Sequence, residues 1–190
     1  KEFRHEAYEQ YKAQREETPE TIRLSVPIIK DIIRAYRIPI LEVAGYEADD
    51  VIGTLATEAG RQGITTYMMT PDKDYGQLVS DRIFMYRPKH TGGFEVMGTE
   101  EVKAKFNIQT TEQVIDMLGL MGDASDNIPG CPGVGEKTAQ KLIAEFGSIE
   151  NLLEHTDQLK GALKTKVETN REMITFSKFL ATIKTDVPIR

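Results

Sequence analysis

The chain has 190 residues, of which 39% are hydrophobic and 28% are charged. This composition suits one folded domain, with or without a small appendage, and excludes a disordered protein. The single cysteine, Cys131, excludes an internal disulfide and a cysteine-based zinc cluster. The net charge of −6 argues against a nucleic-acid-binding surface, unless the acids cluster around divalent cations that reverse the local sign. No apolar run is long enough to span a membrane.

The first segment, residues 3–15 (FRHEAYEQYKAQR), predicts a charged helix with Lys12 and Arg15 about one turn apart. Two interpretations stay open, a solvated amphipathic helix and a basic, aromatic surface for nucleic acid. A second helix begins near Thr18 and runs through a series of isoleucines, with Pro27 predicting a kink or a second helix start. Residues 38–43 (IPILEV) predict a short buried strand.

Strands and helices then alternate, which predicts βαβ units and a parallel sheet. The predicted elements are a helix over 47–61, a strand over 65–69, a short helix over 74–79, a strand over 83–87 and an edge strand over 94–97. From residue 99 onward the pattern predicts only helices, over 100–106, 111–121, 136–146, 149–154 and 171–183. We therefore expect an α/β core at 1–105, followed by a helical subdomain at 106–190.

Three acidic groups stand out along the chain. They are Glu47, Asp49 and Asp50; Asp72 and Asp74; and Asp123 and Asp126. Helix capping or turn chemistry would explain each group alone. Together they predict an all-oxygen site for Mg²⁺ or Mn²⁺, because ligands collect beyond the carboxyl ends of parallel strands and carboxylates suit these ions. Two such ions about 4 Å apart are suited to phosphodiester hydrolysis.

A glycine-rich turn, GCPGVGEK, follows the third acidic group. Its small residues allow close approach of the backbone to a ligand, and the amides of the next helix can bind phosphate. Lys137 opposes the dipole of that helix, which an anion in front of it would explain. A plain helix–turn–helix packing unit is the alternative. The glycine spacing does not fit a P-loop, so nucleotide hydrolysis is set aside.

Four segments together resemble the 5′-nuclease domain of the bacterial DNA polymerase I family, a branch of the flap endonucleases. They are FRHEAYEQYKAQR, GYEADDVIGTLA, TPDKDYGQLV and GLMGDASDNIPGCPGVGEKTAQKLI. The resemblance implies a PIN-like parallel-sheet nuclease core with an arch helix at about 3–17, and a helix-three-turn-helix element for duplex DNA at about 118–146. It also implies structure-specific 5′-3′ hydrolysis of DNA flaps, nicks and RNA primers by a two-metal mechanism, in replication and repair.

The resemblance also implies roles for individual residues. Lys12 and Arg15 match catalytic residues at the base of the arch that contact the scissile phosphate, and Tyr11 matches a residue that stacks on the terminal base. The metal ligands implied are Glu47, Asp49, Asp50, Asp72, Asp74, Asp123 and Asp126. The duplex-binding residues implied are Gly130, Gly133, Val134, Gly135, Lys137 and Thr138. In some relatives carbonyls of this hairpin hold a K⁺ ion.

The family's first strand and two further aspartates would precede Lys1, so we expect this chain to be weakly active or inactive and the full-length protein to be the enzyme. A linked polymerase domain and a bacterial, nucleoid-associated cytoplasmic location are further expectations. One alternative is a non-catalytic DNA-structure-binding module of the same fold. Another is a toxin-like PIN nuclease acting on RNA, although such domains lack the helical hairpin region at 119–146.

Overall fold

Residues 2–189, which a computed structural model describes, form nine α-helices and three β-strands. The first helices are α1 (Phe3–Ala7), α2 (Glu20–Ala35) and α3 (Ala48–Arg61). The strands β1 (Thr66–Met69), β2 (Ile83–Pro88) and β3 (Phe94–Met97) follow. The remaining helices are α4 (Thr99–Phe106), α5 (Val114–Met121), α6 (Glu136–Phe146), α7 (Ile149–Glu154), α8 (Gly161–Thr169) and α9 (Arg171–Ala181). The α/β class is confirmed.

The three strands form one sheet in the order β1-β2-β3. β1 and β2 are parallel, as predicted, with Thr66 opposite Ile83, and a 3-10 helix at Lys73–Leu78 connects them. β3 is the predicted edge strand and runs antiparallel to β2, so the sheet is mixed. Its apolar face, with Met68 and Met85, packs into the core, because successive side chains point to opposite faces of the sheet.

Two predictions about the first fifty residues are wrong. The helix predicted over 3–15, and the arch helix over 3–17, end at Ala7, after which the chain makes turns with Lys12 in the left-handed region at φ 55°. Residues 38–43 are not a strand, because no strand among residues 2–189 pairs with them. Pro27 lies within α2 and does not divide it, and no residue of α2 is buried.

The helical region is centred on α5. Val114, Met117 and Leu118 of this helix are 0% exposed, and α5 packs against both α6 and α9. Ser148 is the N-cap of α7, as predicted, since its hydroxyl accepts a hydrogen bond from the Asn151 amide at 3.2 Å. α8 was not predicted, and its weak pattern has a reason: Val167 is its only buried residue. No described helix is both long and apolar enough to cross a membrane.

After α5 the chain folds back so that the backbones of Gly122 and Gly130 are in contact. Gly130 has φ +63°, and a Cβ placed on it would lie 2.3 Å from the Gly122 nitrogen. Only a residue without a Cβ fits there, because both the conformation and the space exclude one. The close contact holds the acidic turn and the glycine-rich turn against each other.

We predict that Gly130→Ala destabilises the chain by about 2–4 kcal/mol, because left-handed strain adds to an overlap that only backbone movement can relieve. Gly147→Ala is the matched control, since Gly147 also has positive φ (+81°) but has open space around it. It is expected to lose about 1–2 kcal/mol from strain alone. Urea unfolding followed by circular dichroism measures both, and equal losses would contradict the packing argument.

Candidate active site

The first acidic group lies where α3 begins. Glu47 precedes the helix, and Asp49 and Asp50 occupy its first turn, where the helix dipole favours carboxylates. Glu47 is 8% exposed and Asp50 is 0% exposed, whereas Asp49 is half-buried. One carboxylate oxygen from each residue lies within 4.8 Å of those from the other two. These three acids therefore lie close enough together to contribute ligands to one metal ion.

A buried arginine from α1, Arg4, meets this group. Its two terminal nitrogens contact the two oxygens of Asp50 at 2.8 Å each, and Nη1 also donates to Glu47 at 2.6 Å. Sequence reasoning missed Arg4, because a basic residue in a short charged helix is usually solvated. Its only signal was membership of the FRHE segment.

The turns after α1 connect the first acidic group to the third. The Lys12 ammonium contacts Glu47 and lies 3.7 Å from an Asp126 oxygen, and the Arg15 guanidinium binds Asp126. The Lys12 amide also donates to the Asp126 carbonyl at 3.0 Å. Two predicted phosphate-contacting cations and two predicted metal ligands thus lie together, although the helix expected to hold them is absent.

Tyr11 does not present its ring to solvent. It is 3% exposed, its ring packs edge-on against His5 with centroids 5.2 Å apart, and its hydroxyl donates to Glu47 at 3.2 Å. The predicted stacking of Tyr11 on a base does not agree with this conformation. The ring is held by the acidic group because a buried phenol needs a hydrogen-bond acceptor.

The second acidic group follows β1. Asp72 caps the 3-10 helix by accepting from the Asp74 amide at 3.0 Å. Asp123 and Asp126, of the third group, lie in the turn after α5, where Asp123 accepts from the Ser125 amide at 2.8 Å. The Lys73 ammonium joins the second and third groups, since it binds Asp123 and lies 3.8 Å from Asp74.

Lys73 was missed by sequence reasoning, although it stands between two acids in the segment PDKD. A lysine in a polar turn is usually exposed to solvent, and its side chain here is 38% exposed. Its role became visible only when the fold placed Asp123 against it. Among residues 2–189, four cations therefore contact the acidic groups, namely Arg4, Lys12, Arg15 and Lys73.

The proximity of the carboxylates changes their protonation. Burial, together with repulsion from Glu47, raises the pKa of Asp49 to about 6. Burial, together with repulsion from Asp72, raises the pKa of Asp74 to about 7. Burial acts on Asp123 in the same direction, but hydrogen bonds from Lys73 and Ser125 outweigh it and lower the pKa of that carboxyl. The site therefore lacks enough positive charge for all of its acids.

The acids fit divalent metal ions. Asp74 Oδ1 is buried without any hydrogen-bond partner, although it belongs to a carboxylate in a strongly negative environment. Buried acceptors are almost always paired. The Lys73 ammonium lies 3.8 Å from this oxygen, beyond hydrogen-bond distance, so the oxygen is suited to bind a further cation. The donor set contains only carboxylate oxygens, which suits a divalent metal ion.

The glycine-rich turn presents backbone to solvent. Gly133, Gly135 and Lys137 are exposed, and no side chain caps the first amides of α6. Thr138 is half-buried in the same helical turn. Val134 is 5% exposed, so its side chain anchors the turn in the core and only its backbone could meet DNA. Gly130 is buried, with its amide donating to Ser177 at 2.9 Å.

Two family models match nearly the whole chain. Residues 1–107 match "5′-3′ exonuclease, N-terminal resolvase-like domain", and residues 109–190 match "5′-3′ exonuclease, C-terminal SAM fold". DNA polymerase I of Bacillus caldotenax is 44% identical over 189 residues, which are 98% of this chain and 21% of that protein. DNA polymerase I of Bacillus subtilis (strain 168) is 46% identical over the same shares of the two chains.

Solved structures agree with these matches. The bacteriophage T5 D15 flap endonuclease, in a complex with DNA and metal ions, superposes with a TM-score of 0.78 at 25% identity, covering 96% of this chain and 70% of that chain. A T5 5′-exonuclease with bound zinc has a TM-score of 0.80 at 24% identity, covering 97% and 72%. This chain spans 21% of the length of the two Bacillus polymerases. It belongs to the 5′-3′ exonuclease family, whose N-terminal resolvase-like domain and C-terminal SAM fold follow one another along its sequence.

Proposed function

We propose that this chain is the nuclease part of a DNA polymerase I-like protein. In that protein it hydrolyses phosphodiesters at the 5′ ends of DNA and of RNA primers, at flaps and nicks, in replication and repair. The observation that carries this proposal is that shared cations connect the three acidic groups, since Lys12 joins the first to the third and Lys73 joins the second to the third. Family membership and the DNA-bound T5 structure support the same function.

The metal ligands we propose are the acids whose oxygens stay available to cations. They are Glu47, Asp49, Asp72, Asp74, Asp123 and Asp126. Mg²⁺ or Mn²⁺ is the proposed cofactor, with two or more ions, and such a pair would stabilise charge on the attacking and leaving oxygens of an in-line displacement. Lys12 and Arg15 now neutralise Glu47 and Asp126, and they are placed to neutralise a phosphate in the same space.

The helical subdomain, 106–190, is proposed to hold the duplex while the core, 1–105, carries the cutting site. The exposed backbone of Gly133 and Gly135, with the adjacent Lys137, suits the phosphates of a duplex. A K⁺ ion bound by carbonyls of this turn is part of the proposal. So are a covalently linked polymerase domain, which the two Bacillus relatives suggest, and a nucleoid-associated location in a bacterial cytoplasm.

The direct test is Mg²⁺-dependent cleavage of a 5′-flap duplex, by this chain and by the same sequence extended upstream. We predict that Lys12→Ala lowers the cleavage rate of the active form about 10²-fold, because a positive charge is lost beside the phosphate. Its binding of the flap in Ca²⁺ should change much less. If neither length cleaves while both bind the flap, the protein is a non-catalytic DNA-structure-binding module.

We predict that Asp74→Asn stabilises the metal-free chain at pH 8. We also predict that Mn²⁺ stabilises this variant much less than it stabilises the wild-type chain. Removing a charge from a repulsive site raises Tm by about 3 °C, equivalent to ~1 kcal/mol in a chain of this size. Asp157→Asn is the control, since Asp157 is exposed in the 3-10 helix at Thr156–Gln158, far along the chain from the acids. If Mn²⁺ raised the Tm of Asp74→Asn as much as it raised the Tm of the control, Asp74 would not be a metal ligand.

The stability of the metal-free chain and the stabilisation produced by metal should change with pH in opposite directions. The pKa values of Asp49 and Asp74 are raised from 3.8 to about 6 and about 7. Their protonated forms contribute stability that is complete below pH 3.8 and is lost as the pH rises through those two values. Tm in EDTA should therefore fall between pH 5 and 8 on account of these groups, while the increase produced by Mn²⁺ should grow. Thermal unfolding at each pH measures both, and a metal effect larger at pH 5 would contradict the assignment.

A further inference from the structure

Arg4 uses every hydrogen-bond donor that its side chain has. The residue is 1% exposed. Nη1 donates to Glu47 at 2.6 Å and to Asp50 at 2.8 Å, and Nη2 donates to Asp50 at 2.8 Å and to the Thr182 carbonyl at 2.6 Å. Nε donates to the Leu180 carbonyl at 3.0 Å. A guanidinium has five N–H donors, so none is left for solvent or substrate.

Asp50 is equally saturated. Beyond the two contacts to Arg4, its Oδ1 accepts from the Lys184 amide at 2.9 Å and its Oδ2 accepts from the Glu47 amide at 3.2 Å. A carboxylate has about four lone-pair sites, and these four bonds use them. Asp49 differs, because the one hydrogen bond its carboxylate accepts in the described part of the chain is from the Asp50 amide, at 3.2 Å. Of the three acids at the start of α3, Asp50 is thus the one whose oxygens are not available to a metal ion.

The contacts of Arg4 join three separate parts of the chain. Leu180 lies in α9 and Thr182 follows it, whereas Glu47 and Asp50 belong to the start of α3. Aromatic pairs on either side of Arg4 hold α1 on α9, with 6.1 Å between the Phe3 and Phe179 centroids and 5.6 Å between those of Tyr8 and Phe176. α9 in turn packs on α5, whose end leads to Asp123. The first and third acidic groups are therefore related through Arg4.

We propose that Arg4 and Asp50 are a positioning pair, in which Asp50 is not a metal ligand but fixes the Arg4 fork that orients Glu47 toward the metal ions. This inference rests on the proposed function and assigns different roles to the three acids that begin α3. The fork also ties Glu47 to the end of α9, so the acids of the core keep their place relative to the helical subdomain. A guanidinium suits this task because its planar group donates two parallel hydrogen bonds to one carboxylate, which a lysine ammonium cannot do.

The test compares Mn²⁺ binding by calorimetry in the wild-type chain and in Arg4→Lys, Asp50→Asn and Asp49→Asn. Each is measured at a temperature where circular dichroism shows a folded protein. Arg4→Lys keeps the charge but loses the fork, so Mn²⁺ affinity should fall about 10- to 100-fold, as for other residues that orient metal ligands. Asp50→Asn should lower the affinity by a similar factor but bind as many ions as the wild type. Asp49→Asn should lose an ion.

Arg34→Lys is the matched control, because Arg34 also pairs with a carboxylate, Asp31, at 2.9 Å, but on the solvent-exposed face of α2. It should bind Mn²⁺ as the wild type does. Duplex affinity in Ca²⁺ provides the second measurement. It should change less than about twofold in all four variants, because none of these residues lies in the glycine-rich turn that is proposed to bind the duplex.

The outcomes separate the inference from the function on which it rests. If the wild type binds no Mn²⁺, the proposed function fails. If the wild type binds Mn²⁺ and Asp50→Asn loses an ion, Asp50 is a ligand and the positioning role is wrong. Unchanged affinity in folded Arg4→Lys would also overturn the proposal. If Arg4→Lys does not fold, the ion count of Asp50→Asn decides alone.

Discussion

Repulsion among carboxylates is the constraint on which the rest of this structure depends. Three acidic groups, distant in the sequence, are joined by shared cations, and burial raises the pKa of Asp49 and Asp74. Unpaired buried charges are strongly unfavourable, so the fold brings cations to them from separate segments. Arg4 comes from α1, Lys12 and Arg15 come from the turns that follow, and Lys73 comes from the 3-10 helix between β1 and β2.

These cations do not neutralise all of the acidic side chains. We propose that the remaining negative charge binds metal ions. Within residues 2–189, Asp74 keeps a buried oxygen that accepts no hydrogen bond, where a protein would ordinarily place a donor. A site that is destabilising when empty binds divalent ions more strongly, because the ions relieve repulsion as well as forming bonds. Stability of the metal-free chain and affinity for metal are thus opposed, as is common at functional sites.

The geometry also relates the acids to the glycine-rich turn. α5 leads directly into the turn that carries Asp123 and Asp126, and the chain returns to it at Gly130, whose backbone contacts Gly122. Val134 then anchors the following loop in the core. A duplex held by that loop would have a fixed relation to the acids, because no flexible linker separates them. Arg4 adds a second connection at the end of α9.

The sequence by itself determined the elements with strong local patterns, namely α2 to α7, α9 and the three strands, and it singled out the acidic groups. It did not determine the turns after Ala7, the unpaired segment 38–43 or the weakly patterned α8, because these depend on neighbours and not on periodicity.

Only the tertiary structure decided the roles of individual charges. Arg4 and Lys73 look like surface residues and Tyr11 like an exposed ring until the fold places carboxylates beside them. Asp49 and Asp50 are adjacent and chemically identical, yet the half-buried Asp49 carboxylate accepts one hydrogen bond whereas the Asp50 carboxylate is saturated. A helix turns about 100° per residue, so neighbouring side chains face different surroundings.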